Sequence, residues 1–151
     1  MIVIVLLIVH SLCAVLLIGA LTHQTIGTLW KSSKARPGFM AAVRSVRTNA
    51  YPNAVIAIYL ATFVLGTLIY PHFRTHVRTI WDISMPPATG VFEIKEHFAA
   101  IGLAILPAYR YTWMESTQAP ASLRRLLTLM LTLIVWYNFL IGHILNNVRG
   151  L

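Results

Sequence analysis

Charge and cysteine are both scarce in this sequence. Charged residues make up 11% of its 151 residues and hydrophobic residues 58%, whereas an ordinary soluble domain carries roughly 25% charged residues. This composition excludes a soluble globular protein. Cys13 is the only cysteine, so the sequence offers no internal disulfide, no Cys-x-x-Cys-His haem attachment and no cysteine-rich zinc site. Any cofactor is therefore held noncovalently, or by histidine and carboxylate side chains.

The sequence contains three long runs that have no charged residue. They extend over Ile2–Trp30, Thr48–Phe73 and Leu126–Val148, and each exceeds the roughly 20 residues that a membrane-crossing helix needs. A fourth crossing is predicted at about residues 91–113, although its uncharged part, Phe98–Tyr109, is only 12 residues long. The sequence therefore predicts an all-α integral membrane four-helix bundle, a single domain over residues 1–151 with spans at about 2–30, 48–70, 91–113 and 126–148.

Positive charge outweighs negative charge, with 12 Lys and Arg against 4 Asp and Glu and a net charge of +8. In a membrane chain such an excess marks the cytoplasmic loops, so nucleic acid is not inferred as a partner. Eight of the 12 basic residues lie in segments 31–47 and 110–125, which we therefore place on the cytoplasmic side of a bacterial inner membrane. Both termini and the connection 71–90 are then expected on the outer, periplasmic side.

The outer connection predicts a short helix between the second and third spans. Phe73, Val77 and Trp81 repeat at helical spacing, while Arg74 and Arg78 share another face. This pattern is typical of an amphipathic helix that lies in the membrane interface. The Pro-Pro pair that follows is expected to end this helix before the third span begins.

The start of the third span carries ionisable residues at high density. Glu93, Lys95, Glu96 and His97 occupy four of five consecutive positions. Ionisable side chains at membrane depth normally face the bundle interior or a water-filled cavity, and they mark a functional site. An alternative is that the first three lie in the headgroup layer and extend their charged ends into water.

Histidines cluster in the outer half of the predicted bundle. His10 lies about 13 Å along the first helix, and His97 and His143 lie near the outer ends of the third and fourth. Imidazoles from two antiparallel helices at one depth can ligate the iron of a b-type haem, with its propionates directed towards Arg74 and Arg78. We therefore expect His10 and His97 to be the haem ligands, with His143 as the next candidate.

The same side chains are suited to other chemistries. His10, Glu93, His97 and His143 together offer nitrogen and oxygen ligands for a first-row metal ion. They are equally suited to carry protons or to form structural hydrogen bonds. A second, inner haem is not expected, because His23 is the one histidine predicted on the inner side.

Two motifs carry a family resemblance. Val9-His10-Ser11-Leu12 lies in the first span, and Phe92–His97 runs into Leu106-Pro107-Ala108-Tyr109 in the third. With these motifs the chain resembles small four-helix bacterial inner-membrane proteins, above all the HemJ-type protoporphyrinogen oxidases and, less closely, the CopD-like proteins. The resemblance implies that His10 binds haem b and that Lys95, at the start of the third helix, is essential. Segments 19–24, 51–54 and 92–97 also resemble a group of uncharacterised proteins of similar size, which implies no function.

These observations lead to one expectation and several alternatives. We expect a b-type haem-binding redox protein, embedded in the lipid bilayer, that passes electrons between a quinone or a partner subunit and a periplasmic acceptor. The first alternative is a cofactor-free accessory subunit that joins a larger respiratory or oxidase complex through faces of small residues. The others are a nonhaem metal protein and a HemJ-like oxidase.

Overall fold

The structure is a computed structural model that describes residues 1–29, 38, 47–114 and 117–149. These residues form α-helices and helical turns and contain no strand, which confirms the predicted all-α class. A 3-10 turn, Thr48–Ala50, precedes the second helix, and a π-helical turn, Arg74–Arg78, follows it. In chain order the helices are α1 (Ile2–Leu29), α2 (Pro52–Phe73), the short α3 (Thr79–Ser84), α4 (Pro86–Trp113) and α5 (Ala121–Arg149).

Among the described residues, three helical stretches are long and apolar enough to cross a membrane, namely Ile2–Leu29, Pro52–Ser84 and Ala121–Asn147. By length and composition they support the prediction of a membrane protein with transmembrane helices. The helix predicted for the fourth crossing, α4, is present with 28 residues, but it carries four charged side chains and is not among these three. The predicted cytoplasmic segment 31–47 lies outside the described residues, apart from residues 38 and 47.

The short helix predicted between the second and third spans is continuous with the second span. α2 runs through the π-helical turn into α3, so that Pro52–Ser84 is one helical stretch of 33 residues. The reason is local, because no glycine or proline lies between residues 72 and 84 to end the helix. The stretch ends at Ser84, and Pro86 opens α4, where proline fits because the first helical N–H has no intrahelical partner.

The four long helices share one hydrophobic core. α1 packs against both α2 and α5, and α4 packs against α5. Apart from the neighbours Leu17 and Ile18, the core residues within each helix recur at steps of three or four, which is the spacing of a single inward face. The buried members are Leu17, Ile18 and Leu21 of α1, Val55 and Tyr59 of α2, Leu106, Tyr109 and Trp113 of α4, and Leu131 and Val135 of α5.

Long aromatic side chains bridge α2 and α4. The Tyr59 hydroxyl donates to the carbonyl of Ala99 at 2.9 Å, and the rings of Tyr70 and Phe73 both stack on Phe92. We call the end of the helices that holds Phe92 and His10 the His10 end, and the opposite end, where α2 begins and α4 finishes, the Arg110 end. At the His10 end, a second apolar cluster joins the π-helical turn and α3 to α5 through Val77, Trp81 and Leu145.

Candidate functional site

His10 lies half-buried on the inward face of α1, two helical turns before the core residue Leu17. Its Nδ1 atom is 3.0 Å from the carbonyl oxygen of Thr62 in α2. Because a carbonyl only accepts, Nδ1 carries the proton, and the neutral ring keeps its lone pair on Nε2. Histidines that bind metals commonly have their other ring nitrogen held in this way by a backbone carbonyl. Within the described part of the chain, Nε2 has no hydrogen-bond partner.

Two glycines leave room for His10 and Lys95 between the helices. A Cβ atom placed on Gly66 of α2 would lie 3.4 Å from Cε1 of His10. A Cβ atom placed on Gly142 of α5 would lie 3.7 Å from Cε of Lys95. Each of the four long helices thus contributes one residue, and we call His10, Gly66, Lys95 and Gly142 the His10 group.

Lys95 brings a positive charge to this group. Its side chain is 18% exposed, and Nζ lies 2.7 Å from Oε1 of Glu96. The same ammonium lies 4.8 Å from the centre of the Phe92 ring. Both Lys95 and Glu96 are close enough to interact electrostatically with the His10 imidazole. The two residues that the HemJ-type resemblance singles out, His10 and Lys95, are therefore within range of an electrostatic interaction.

The other predicted ligands lie elsewhere. His97 is nine residues before Leu106, which is about half a turn out of phase with the inward face of α4, and its side chain is exposed with Nδ1 bonded to the Glu93 carbonyl at 2.7 Å. His143 is exposed on α5 and its ring stacks on Phe139. The structure does not bring His10, Glu93, His97 and His143 together. Across the described ranges, no group of three or more His, Cys, Asp or Glu side chains is close enough to hold a metal ion.

The two arginines predicted to face haem propionates differ in their contacts. Arg78 donates from Nη2 to Oε1 of Glu93 at 2.5 Å and from Nη1 to the Tyr70 hydroxyl at 3.2 Å, and its Nε lies 3.7 Å from Asp82. Arg74 is exposed and forms no ion pair with the residues that the structure describes. The guanidinium of Arg78 is already bonded to protein groups, whereas the charge of Arg74 is available to a ligand.

Sequence reasoning missed a buried polar network at the Arg110 end. The Tyr109 hydroxyl donates to Oε1 of Gln24, and Nε2 of Gln24 donates to the carbonyl of Thr48 at 2.9 Å. Gln24 and Tyr109 are both 0% exposed. A signal was present in the sequence, because Gln24 follows Leu17 and Leu21 at steps of four and three and so interrupts an apolar inward stripe with a polar side chain.

Tyr51 lies beside this network and binds His23. Its phenol oxygen forms a hydrogen bond with Nδ1 of the His23 imidazole. Burial raises the pKa of the Tyr51 phenol, so the phenol stays protonated. His23 is thus engaged with the start of α2, at the end of the molecule opposite to the His10 group.

The described residues therefore bring together one open imidazole nitrogen, one ion-paired lysine and two glycines. No family model, no curated protein and no solved structure matches the chain. The functional conclusion depends on the geometry of the His10 group and on the chemistry that its side chains support.

Proposed function

We propose that this protein is a b-type haem-binding redox protein of a bacterial inner membrane, a four-helix bundle with both termini on the periplasmic side, in which His10 ligates the haem iron. The proposal is carried by the His10 imidazole, whose Nδ1 is bonded to the Thr62 carbonyl and whose Nε2 is open. That bond fixes the ring and makes Nε2 a better ligand. The bound haem supplies one-electron chemistry between a quinone or a partner subunit and a periplasmic acceptor.

The His10 group suits a haem with one histidine ligand. Gly66 and Gly142 present no side chain towards His10 and Lys95, so the imidazole and the ammonium are both accommodated between the helices. His97 and His143 are on exposed faces, which favours His10 as the one histidine that would hold the haem over the predicted pair His10 and His97. Arg74, which has no ion pair with described residues, is the arginine available to a propionate. A HemJ-like oxidase would use the same His10 ligand, so the same test applies to it.

The absorption spectrum of the purified protein, supplied with excess haem in detergent micelles, tests this proposal. We expect the reduced b-type band to be present in the wild type and lost in His10→Ala. His97→Ala is the matched control, because it removes an imidazole from the same end of the molecule but from an exposed face, and its band is expected to persist. A band that survives in His10→Ala contradicts the ligand assignment.

A second candidate, a cofactor-free accessory subunit of a larger membrane complex, is favoured by the exposed face of α4. Ala100, Ala104 and Ala108 are exposed and follow one another at about one helical turn, with His97 on the same side. Small residues let a neighbouring membrane helix approach closely, and such a neighbour can give an outward imidazole a hydrogen-bond partner. A folded protein that shows no b-type band in excess haem favours this candidate over the first.

A further inference from the structure

A cavity of about 120 Å³ opens at the Arg110 end, between the start of α2 and the end of α4. It has room for a few water molecules or for one small polar group. The cavity shares no residue with the His10 group. Its lining includes Asn49, Pro52, Asn53, Arg110, Trp113 and Met114.

Side-chain hydrogen-bond donors outnumber side-chain acceptors among the described residues that line this cavity. Arg110 donates from Nε to Oδ1 of Asn53 at 3.2 Å and from Nη1 to the sulfur of Met114 at 3.7 Å. These contacts hold the guanidinium in place and engage the one side-chain acceptor of Asn53. They leave Nη2 of Arg110 and Nδ2 of Asn53 without an acceptor among the described residues, and both atoms can only donate. The described lining residues therefore offer a positive charge and free N–H groups, and none of these residues carries a carboxylate.

We propose that this cavity binds a phosphate group, with Arg110 as its cationic partner and Asn53 as a second donor. The planar guanidinium suits phosphate because it presents parallel N–H groups to two oxygens. The cavity lies where the apolar stretch Pro52–Ser84 begins, which is the level of lipid headgroups for a helix that crosses a bilayer. A phospholipid headgroup is therefore the favoured source of the phosphate, and a soluble phosphate is the other source that the same chemistry admits.

Nearby Arg124 has a different role. Its Nε donates to the carbonyl of Thr112 at 2.6 Å, and its guanidinium lies 5.2 Å from the centre of the Trp113 ring. These contacts tie the start of α5 to the end of α4. Arg110 is thus the lining residue whose charge remains available to a ligand.

Native mass spectrometry of the full chain in neutral detergent, titrated with phosphatidylglycerol, tests the proposal. We expect Arg110→Gln to weaken lipid binding by about tenfold, the effect of losing one charge-assisted hydrogen-bonded pair. Arg125→Gln is the matched control, because it removes an equal charge at the same end from a residue outside the cavity lining. Its binding is expected to stay within about twofold of the wild type. Asn53→Ala, which removes the second donor and the contact that orients Arg110, is expected to give an intermediate loss, and circular dichroism checks that each variant is folded.

Two further ligands identify the source of the phosphate. Diacylglycerol, which has the acyl chains without the phosphate, is expected not to bind. If inorganic phosphate binds alone and displaces phosphatidylglycerol, the site binds a soluble phosphate. If phosphatidylglycerol resists displacement by inorganic phosphate, the site binds the lipid headgroup. The proposal is overturned if Arg110→Gln binds phosphatidylglycerol as tightly as the wild type, if both arginine variants weaken binding equally, or if the wild type binds neither lipid nor phosphate.

Discussion

Gln24 and His10 both lie on the inward face of α1, and their hydrogen bonds separate their roles. Gln24 has a partner at each end of its amide, Tyr109 on one side and the Thr48 carbonyl on the other. His10 has a partner on one nitrogen only. Both polar ends of the Gln24 amide are therefore paired inside the protein, whereas Nε2 of His10 has no partner among the described residues and is available to a ligand.

Gln24→Leu is expected to lower the free energy of unfolding by about 1–3 kcal/mol, because it leaves the Thr48 carbonyl and the Tyr109 hydroxyl without partners. Unfolding in detergent, followed by circular dichroism, measures this change. Thr67→Ala is the control, since the exposed Thr67 hydroxyl bonds only the Phe63 carbonyl of its own helix, and little change is expected. Equal losses in the two variants would mean that the buried network contributes nothing of its own.

At the scale of helices, the contact between α2 and α4 depends on the absence of a side chain at Gly102. A Cβ atom there would fall on the Tyr59 hydroxyl, and it would lie 2.9 Å from Cζ of the same ring and 3.2 Å from Cγ2 of Ile134. The Tyr59 hydroxyl in turn donates to the Ala99 carbonyl. Glycine is required at this position by close approach rather than by backbone conformation, since its φ is not positive.

Gly102→Ala is therefore expected to destabilise the protein by about 1–3 kcal/mol, because Tyr59 must move out of its contact. Gly90→Ala in the same helix is the control. No atom of the described residues lies within 4 Å of a Cβ atom placed there, and alanine is the better helix former by up to about 1 kcal/mol, so this variant is expected to be as stable as the wild type or more so. Chemical unfolding of both variants in one detergent compares them, and a Gly102→Ala protein that matches Gly90→Ala would show that the contact is loose.

At the scale of the whole molecule, orientation in the membrane decides which compartment the His10 end faces. The excess of Lys and Arg in segments 31–47 and 110–125 predicts that these segments face the cytoplasm. The His10 group would then lie near the periplasmic surface, and the Arg110 cavity would face the inner leaflet. Both proposals keep their local chemistry if the orientation is reversed, but their partners would change.

Reporter fusions test this orientation. A fusion after Arg47 is expected to be active as a cytoplasmic reporter, and a fusion after Asp82 as an external one, because positively charged loops are retained on the cytoplasmic side. Paired alkaline phosphatase and green fluorescent protein fusions at both positions provide the measurement, each serving as the control for the other. The opposite pattern would place the His10 group at the cytoplasmic surface.

The amino-acid sequence by itself determined the helices and their membrane character. Charge-free runs of helical length, the scarcity of acidic residues and the proline at Pro86 act over a few neighbouring residues, so their effect is visible without a fold. For this reason helices were found at all four predicted crossings. The merging of α3 with α2 is also a local matter, because no glycine or proline interrupts residues 72–84.

Only the tertiary structure decided which side chains meet. Glu93, Lys95, Glu96 and His97 cover most of the circumference of one helical turn, so helical periodicity alone does not say which of them faces inward. Packing of Leu106 and the rest of the inward face of α4 against α5 fixed the rotation of the helix. That rotation turned Lys95 towards Gly142 and His97 away from the core. The sequence of one helix does not show the surface of the helix against which it packs, so this rotation could not be predicted from it.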